Sequence, residues 1–187
     1  MAQKREKLRE QIKVQREKKA EKEAVNQANG RFGDVDFALM IEEKKYKAEL
    51  IQPHSGSNQM RLCVNVRKRP IFTKEEKEGE IDAISCANPM IQVLECKKKV
   101  DGITKYVDNT DFVFDNTFNE KEDSEQVYQY TLNPLLGPMF SNGVITCFAY
   151  GQTGSGKTFT MVTIVILFRK VYKLLQYLIS IIIEIKF

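Results

Sequence analysis

Gly151-Gln-Thr-Gly-Ser-Gly-Lys157-Thr158 has the form GxxxxGK[ST] and lies close to the end of this 187-residue chain. A chain carrying such a run has little freedom in how it folds around it. A strand must deliver the backbone to the glycines, and a helix must begin at the lysine so that free amides face an anion. The flanks agree. Val144-Ile-Thr-Cys-Phe-Ala-Tyr150 is apolar and rich in β-formers, and no Gly or Pro follows Gly156. The segment predicts a buried strand, a glycine loop and a helix. Within it, Gly151, Gln152, Thr153, Gly154, Ser155 and Gly156 would cradle phosphates with backbone N–H groups. Lys157 would reach the β- and γ-phosphates, and the Thr158 hydroxyl would sit on Mg²⁺. The plain alternative, a chance match in a glycine-rich turn, leaves the preceding strand pattern unexplained.

The net charge of +4 is concentrated in one place. Residues 1–25 hold nine Lys/Arg and five Glu, which accounts for the whole surplus. The basic character therefore belongs to an N-terminal arm. Residues 1–28 contain strong helix formers without Gly or Pro, but Leu8, Ile12 and Val14 sustain no heptad. A solvated helix or partly disordered arm is expected. Its charge fits nucleic acid, an anionic membrane or an acidic protein surface equally well. No apolar leader precedes it, and an intracellular protein is expected. The four cysteines, Cys63, Cys86, Cys96 and Cys147, show no CxxC spacing. Cys63 and Cys147 fall in strand patterns and read as buried reduced thiols. The single histidine, His54, lies in a polar linker with no catalytic partner in view.

Asn29-Gly30 breaks the first helix. Asp34 reads as the N-cap of a second, from Val35 to about Leu50, with Phe37, Met40, Ile41 and Tyr46 on a sticky face. Gln52 to Asn58 reads as a linker. Arg61 to Val66 predicts a strand, and Lys74 to Glu80 a charged loop. Ile81–Ser85, Ile91–Cys96 and Asp111–Phe114 predict short strands of a small antiparallel lobe, with a hairpin tip at Lys97–Gly102. Glu122 to Leu132 predicts a helix capped by Asp123 or Ser124, with Val127, Tyr130 and Thr131 partly buried. Val162 to Phe187 is rich in Ile, Leu, Val and Lys. Arg169, Lys170 and Lys173 interrupt it, which argues against a membrane span.

With these residues in hand the chain resembles a kinesin, and more closely the kinesin-13 (internal-motor, microtubule-depolymerising) class. Phe148-Ala-Tyr-Gly-Gln-Thr-Gly-Ser-Gly-Lys-Thr-Phe-Thr-Met161 is similar to the kinesin phosphate loop nearly residue for residue. Arg67-Lys-Arg-Pro70 resembles the segment that contacts adenine. Phe37-Ala-Leu-Met-Ile41 resembles the end of the kinesin-13 neck, Leu62 to Pro70 its first strand, and Lys99-Val-Asp101 its Lys-Val-Asp loop. The resemblance implies an α/β fold: an incomplete P-loop NTPase kinesin motor made of a first strand, a small antiparallel lobe, a helix and the phosphate-loop strand. A charged helical neck precedes it. The implied domains are a neck at 1–51, a linker at 52–60, the motor part at 61–161 and a divergent tail at 162–187. Arg67, Arg69 and Pro70 would flank the adenine. ATP and Mg²⁺ are the implied ligands, and tubulin the partner through Lys99, Val100 and Asp101. Nucleic acid and membrane are not expected as partners, and the implied location is cytoplasmic, on microtubules.

Three departures qualify the resemblance. Phe159 stands where the family usually has His. By eye, similarity stops at Met161. The two switch motifs, a Ser-rich loop ending in Arg and an Asp-Leu-Ala-Gly-like strand end, do not occur in the 187 residues. Those motifs bind Mg²⁺, coordinate the γ-phosphate and position water. The expectation is a truncated, non-hydrolysing tubulin-binding module or a non-functional fragment, with a tail from sequence not selected as protein. A central strand lacking both neighbours would also expose two edges.

Overall fold

The computed structural model describes residues 2–46, 52–56 and 62–185. The chain divides into two compact units. One comprises Met1–Lys47, Pro70–Ser85 and Ile91–Phe112, the other Ala48–Arg69, Cys86–Met90 and Val113–Phe187.

In the first unit, helix α1 spans Ala2–Ala28. Its Ala, Lys, Glu, Gln and Arg content gives it high intrinsic helicity, and most of its surface is exposed. It is not a lone helix. Lys19 reaches Asp36 at 2.7 Å and Lys22 reaches Glu42 at 2.5 Å, both on α2 (Val35–Lys44). Asp34 caps α2 as expected, accepting from the amides of Asp36 at 3.1 Å and Phe37 at 3.3 Å. The helix stops at Lys44, earlier than predicted. Lys44 Nζ donates to the Val107 carbonyl at 2.5 Å, and the Tyr46 amide donates to Ser85 Oγ at 3.2 Å. The rest of the predicted helix, 47–50, lies outside the described residues.

Phe37 and Ile41 of α2 bury against Leu94 and Val107, with Met40, Ile81 and Ala83 around them. Leu94 and Val107 belong to a three-stranded sheet in the order β2 (Ile84–Ala87), β3 (Met90–Lys98), β4 (Lys105–Val113). β2 and β3 begin and end within about three residues of their predicted bounds, whereas β4 starts well before the predicted Asp111, at Lys105. The β3–β4 tip is therefore Lys99–Thr104. The segment predicted as a charged loop contains a short helix, α3 (Thr73–Lys77), whose entry is fixed by Glu75 accepting from the Phe72 amide at 2.8 Å.

In the second unit, β1 (Asn65–Arg67) pairs in parallel with β5 (Asn116–Phe118), Asn65 opposite Asn116 and Arg67 opposite Phe118. The start of the predicted strand, Arg61, lies outside the described residues. Helix α4 (Ser124–Thr131) starts at a capping box: Gln126 N donates to Asp123 Oδ1 at 2.8 Å, and Asp123 N to Gln126 Oε1 at 3.0 Å. Val127 is buried and Tyr130 and Thr131 are half-buried, as expected, and Tyr128, which the sequence reading did not include, is buried beside Val127. These two pack with Phe118 and with Ile164 of α6 (Lys157–Ile185). A 3₁₀ turn at Asn133–Leu135 and a short helix α5 (Leu136–Phe140) follow α4.

Two sequence expectations fail in this unit. Residues 144–150 join no sheet, and Val144, Phe148 and Tyr150 are exposed, Tyr150 at 98 %. A strand exists by its ladder, and no described strand pairs with this run. Cys147 is exposed for the same reason, while Cys63 is half-buried. The described part of the linker is held by side-chain hydrogen bonds. Asn116, 0 % exposed, accepts from Ser55 N and donates to Ser55 O, both at 3.0 Å. Asn88 donates to the carbonyls of Gln52 and Pro53 at 3.2 and 3.1 Å. His54 stacks on Phe118 and hydrogen-bonds Glu122. No helix of the described residues is long and apolar enough to cross a membrane.

Ile41 is 2 % exposed at the centre of the first core. Ile41→Ala is expected to destabilise that unit by about 2–5 kcal/mol, read as lost amide protection in β3 and β4. Acid should loosen the same unit. The Lys19 ammonium first, then Lys105, hold the Asp36 carboxyl below its ordinary value of 3.8. A depressed carboxyl contributes stability fully above its unfolded value and loses it as pH falls through the folded one. Stability should therefore decline below about pH 4, and Asp36→Asn should flatten that decline. Parallel acid unfolding of the parent and Asp36→Asn would exclude this pair as a cause.

Candidate functional site

The glycine loop lies in the second unit and runs directly into α6. Its shape is set locally. Gly154 and Gly156 have φ of +82° and +91°, which L side chains resist. A Cβ on Gly151 would come 2.6 Å from Ser155 Oγ. Ser155 N donates to Gln152 O at 3.2 Å, and the first full helical bond, Thr160 N to Gly156 O, is 3.0 Å. The residues 151–155 are exposed, so the loop and the first amides of α6 open to solvent. That is the chemistry of an anion seat at a helix start.

Lys157, the first residue of α6, folds back over the loop. Its ammonium donates to the carbonyls of Gly151 and Gln152, each at 2.7 Å. An ammonium has three donors, so one remains for a phosphate oxygen. Thr158 is exposed in the first turn. The described residues contain no group of three or more His, Cys, Asp or Glu able to hold a metal by itself. A hydroxyl and a bound triphosphate are the oxygen donors that suit Mg²⁺ here.

Arg67, at the end of β1, joins this helix start. Its guanidinium donates to Thr160 Oγ1 at 3.2 Å and to Ser124 Oγ at 3.0 Å, and its centre lies 5.4 Å from the Phe159 ring centroid. Burial pushes the guanidinium down from its ordinary value while Asp123 opposes that shift. It remains a cation at neutral pH. Lys68, next along, pairs with Glu120 at 3.0 Å. Arg69 is half-buried in the same unit; Pro70 is exposed and belongs to the first unit. The structure thus brings Arg67 together with Phe159 and Thr160, two and three residues beyond Lys157. Sequence reading missed Ser124 and Thr160. The signal for Thr160 was its i,i+3 spacing from Lys157, which puts both on one helix face.

The second candidate site, in the first unit, is the β3–β4 tip. Val100 is 108 % exposed, and Lys99 is exposed beside it. Asp101 turns inward on the loop instead. Its carboxylate accepts from the amides of Ile103 at 2.9 Å and Thr104 at 2.8 Å, and from the Thr104 hydroxyl at 2.5 Å. The Thr104 hydroxyl, then these amides, hold its carboxyl below the ordinary value. Asp101 therefore shapes the tip that presents Lys99 and Val100.

The family model for the kinesin motor domain matches residues 67–178. The chain is also 38 % identical over 168 residues to the diatom spindle kinesin-1 of Cylindrotheca fusiformis, an alignment covering 86 % of this chain and 27 % of that protein. The chain thus spans about a quarter of the length of the relative it matches. The family match passes Met161 and continues through most of α6, so the similarity does not stop where it does by eye. Packing gives the reason: Ile164, Leu167, Phe168 and Val171 recur at helical spacing and cover Val127 and Tyr128.

The glycines predict a sharp effect. Gly156→Ala places a Cβ at φ +91°, and a loss of nucleotide affinity of tenfold or more is expected with little change in α4 and its core. Titration with a fluorescent ATP analogue, beside near-ultraviolet circular dichroism, checks it. Unchanged affinity would mean the loop shape is not what binds.

Proposed function

The chain belongs to the kinesin motor-domain family, and on that premise we propose that it is the nucleotide-cradle part of a microtubule motor, binding ATP with Mg²⁺ and contacting tubulin. The observation that carries this reading is the open glycine loop at the start of α6, with Lys157 folded over it and Arg67 tied to the same helix. In this reading Gly151–Gly156 surround the phosphates, Lys157 neutralises them and Thr158 supplies one Mg²⁺ oxygen. Arg67, with Arg69, takes the base end. The domain limits of the neck at 1–51 and the motor part from 61 are part of the same proposal.

The kinesin-13 class and microtubule depolymerisation are the finer reading. Phe37-Ala-Leu-Met-Ile41 and Lys99-Val-Asp101 support it, and so does a tip that holds Val100 fully in solvent. The basic helix α1 would add long-range attraction to acidic tubulin. A spindle association is proposed from the name of the diatom relative.

Residues 1–187 alone hold neither a Ser-Ser-Arg-type nor an Asp-Leu-Ala-Gly-type segment to sense the γ-phosphate and position water. The chain by itself is therefore proposed to bind ATP without tubulin-stimulated turnover. Steady-state ATPase of the purified chain should match its Lys157→Ala variant, with or without tubulin, while ATP affinity falls in that variant. Tubulin-stimulated turnover above the variant would overturn the binding-only reading. Co-sedimentation with tubulin should weaken on Lys99→Ala.

A further inference from the structure

The side chain of Arg67 is long and flexible, and an unheld guanidinium samples many rotamers. Here it is fixed from two helices at once. Ser124 Oγ, at the first residue of α4, takes one nitrogen at 3.0 Å, and Thr160 Oγ1, in the first turns of α6, takes the other at 3.2 Å. Phe159 sits 5.4 Å from the cationic carbon. Thr160 lies three residues beyond Lys157, so the held guanidinium stands about one helical turn along the face that carries the phosphate lysine. A hydroxyl can hold a guanidinium without neutralising it, which leaves the charge and the planar face of Arg67 available to a ring. A carboxylate there would form a closed ion pair.

We infer that Ser124 and Thr160 are positioning residues: their hydroxyls set the plane of Arg67 so that it and Phe159 form a platform for the base of the nucleotide whose phosphates occupy Gly151–Thr158. The inference rests on the nucleotide reading above and extends it to a base platform assembled by two hydroxyls. Both hydroxyls are engaged by the Arg67 guanidinium. Removing one should weaken the base end alone.

The test measures binding of ATP and of inorganic tripolyphosphate to the full chain by calorimetry. Ser124→Ala and Thr160→Val should each weaken ATP about three- to tenfold and leave tripolyphosphate within about twofold. Thr160→Ser, which keeps the hydroxyl, should restore ATP affinity. Parental ATP affinity in both variants overturns the inference. So does an equal loss for both probes, or a Thr160→Ser that binds no better than Thr160→Val, because the hydroxyls would then serve only to hold α4 and α6. Binding of tripolyphosphate but not ATP by the unchanged chain overturns the base platform and leaves the phosphate seat. Binding of neither sinks the nucleotide reading itself.

Discussion

The phosphate-loop unit depends on one buried amide. Asn116 is wholly enclosed and uses both ends of its side chain on other segments. It accepts from Ser55 N, and it donates to Ser55 O and to Asn65 Oδ1, each at 3.0 Å. In a low-dielectric interior such bonds are strong and their loss expensive, so the amide fixes register as well as adding stability. Asn65 is the residue opposite Asn116 in the parallel pair. Locking that pair sets where Arg67 emerges two residues later, and the direction of Arg67 sets what can form at the start of α6. A three-residue ladder alone is too short to hold such a register. Asn88 adds to it, accepting from Thr117 N at 2.8 Å while its amide nitrogen holds Gln52 and Pro53.

Local features were legible in the sequence because they are decided locally. Asp34 and Asp123 cap helices because each has amides two or three residues ahead and a side chain of the right reach. The apolar run of Ile91, Val93 and Leu94 in β3 and the turn residues Asp101 and Gly102 mark one strand of the hairpin and its tip. Phe37 and Ile41 announce a buried stripe by their spacing. The interactions that remained hidden join residues far apart. Nothing in the order of residues says that His54 stacks on Phe118 and bonds Glu122, or that Asn116 closes on Ser55. The error over 144–150 has a related origin. Composition shows that the run is apolar and β-forming, but a ladder requires a neighbour, and a propensity cannot supply one.

The tail shows the opposite kind of misreading. Its Ile-, Leu- and Val-rich composition looked unlike the segments before it. Yet Ile164, Leu167, Phe168 and Val171 continue the helix that the phosphate loop starts, and they bury against α4. An apolar helix is judged by what covers it. Here α4 presents Val127 and Tyr128, which share one buried cluster with Ile164 of α6 and with Phe118 of β5, the residue opposite Arg67.

The loop keeps its shape although the segment before it forms no ladder, and this separates two requirements that are easily merged. The cradle is shaped by glycine φ values, by Ser155 bonding Gln152, and by Lys157 spanning the carbonyls of residues 151 and 152. All of these act within seven residues of one another. Turnover instead needs groups fixed relative to one another over the whole breadth of a sheet, to sub-ångström tolerance. Residues 144–150 join no sheet among the described residues, so the shape of the cradle does not rest on one. Recognition of a phosphate chain can thus reside in a short loop at a helix start, whereas catalysis on it is a property of the sheet around that loop.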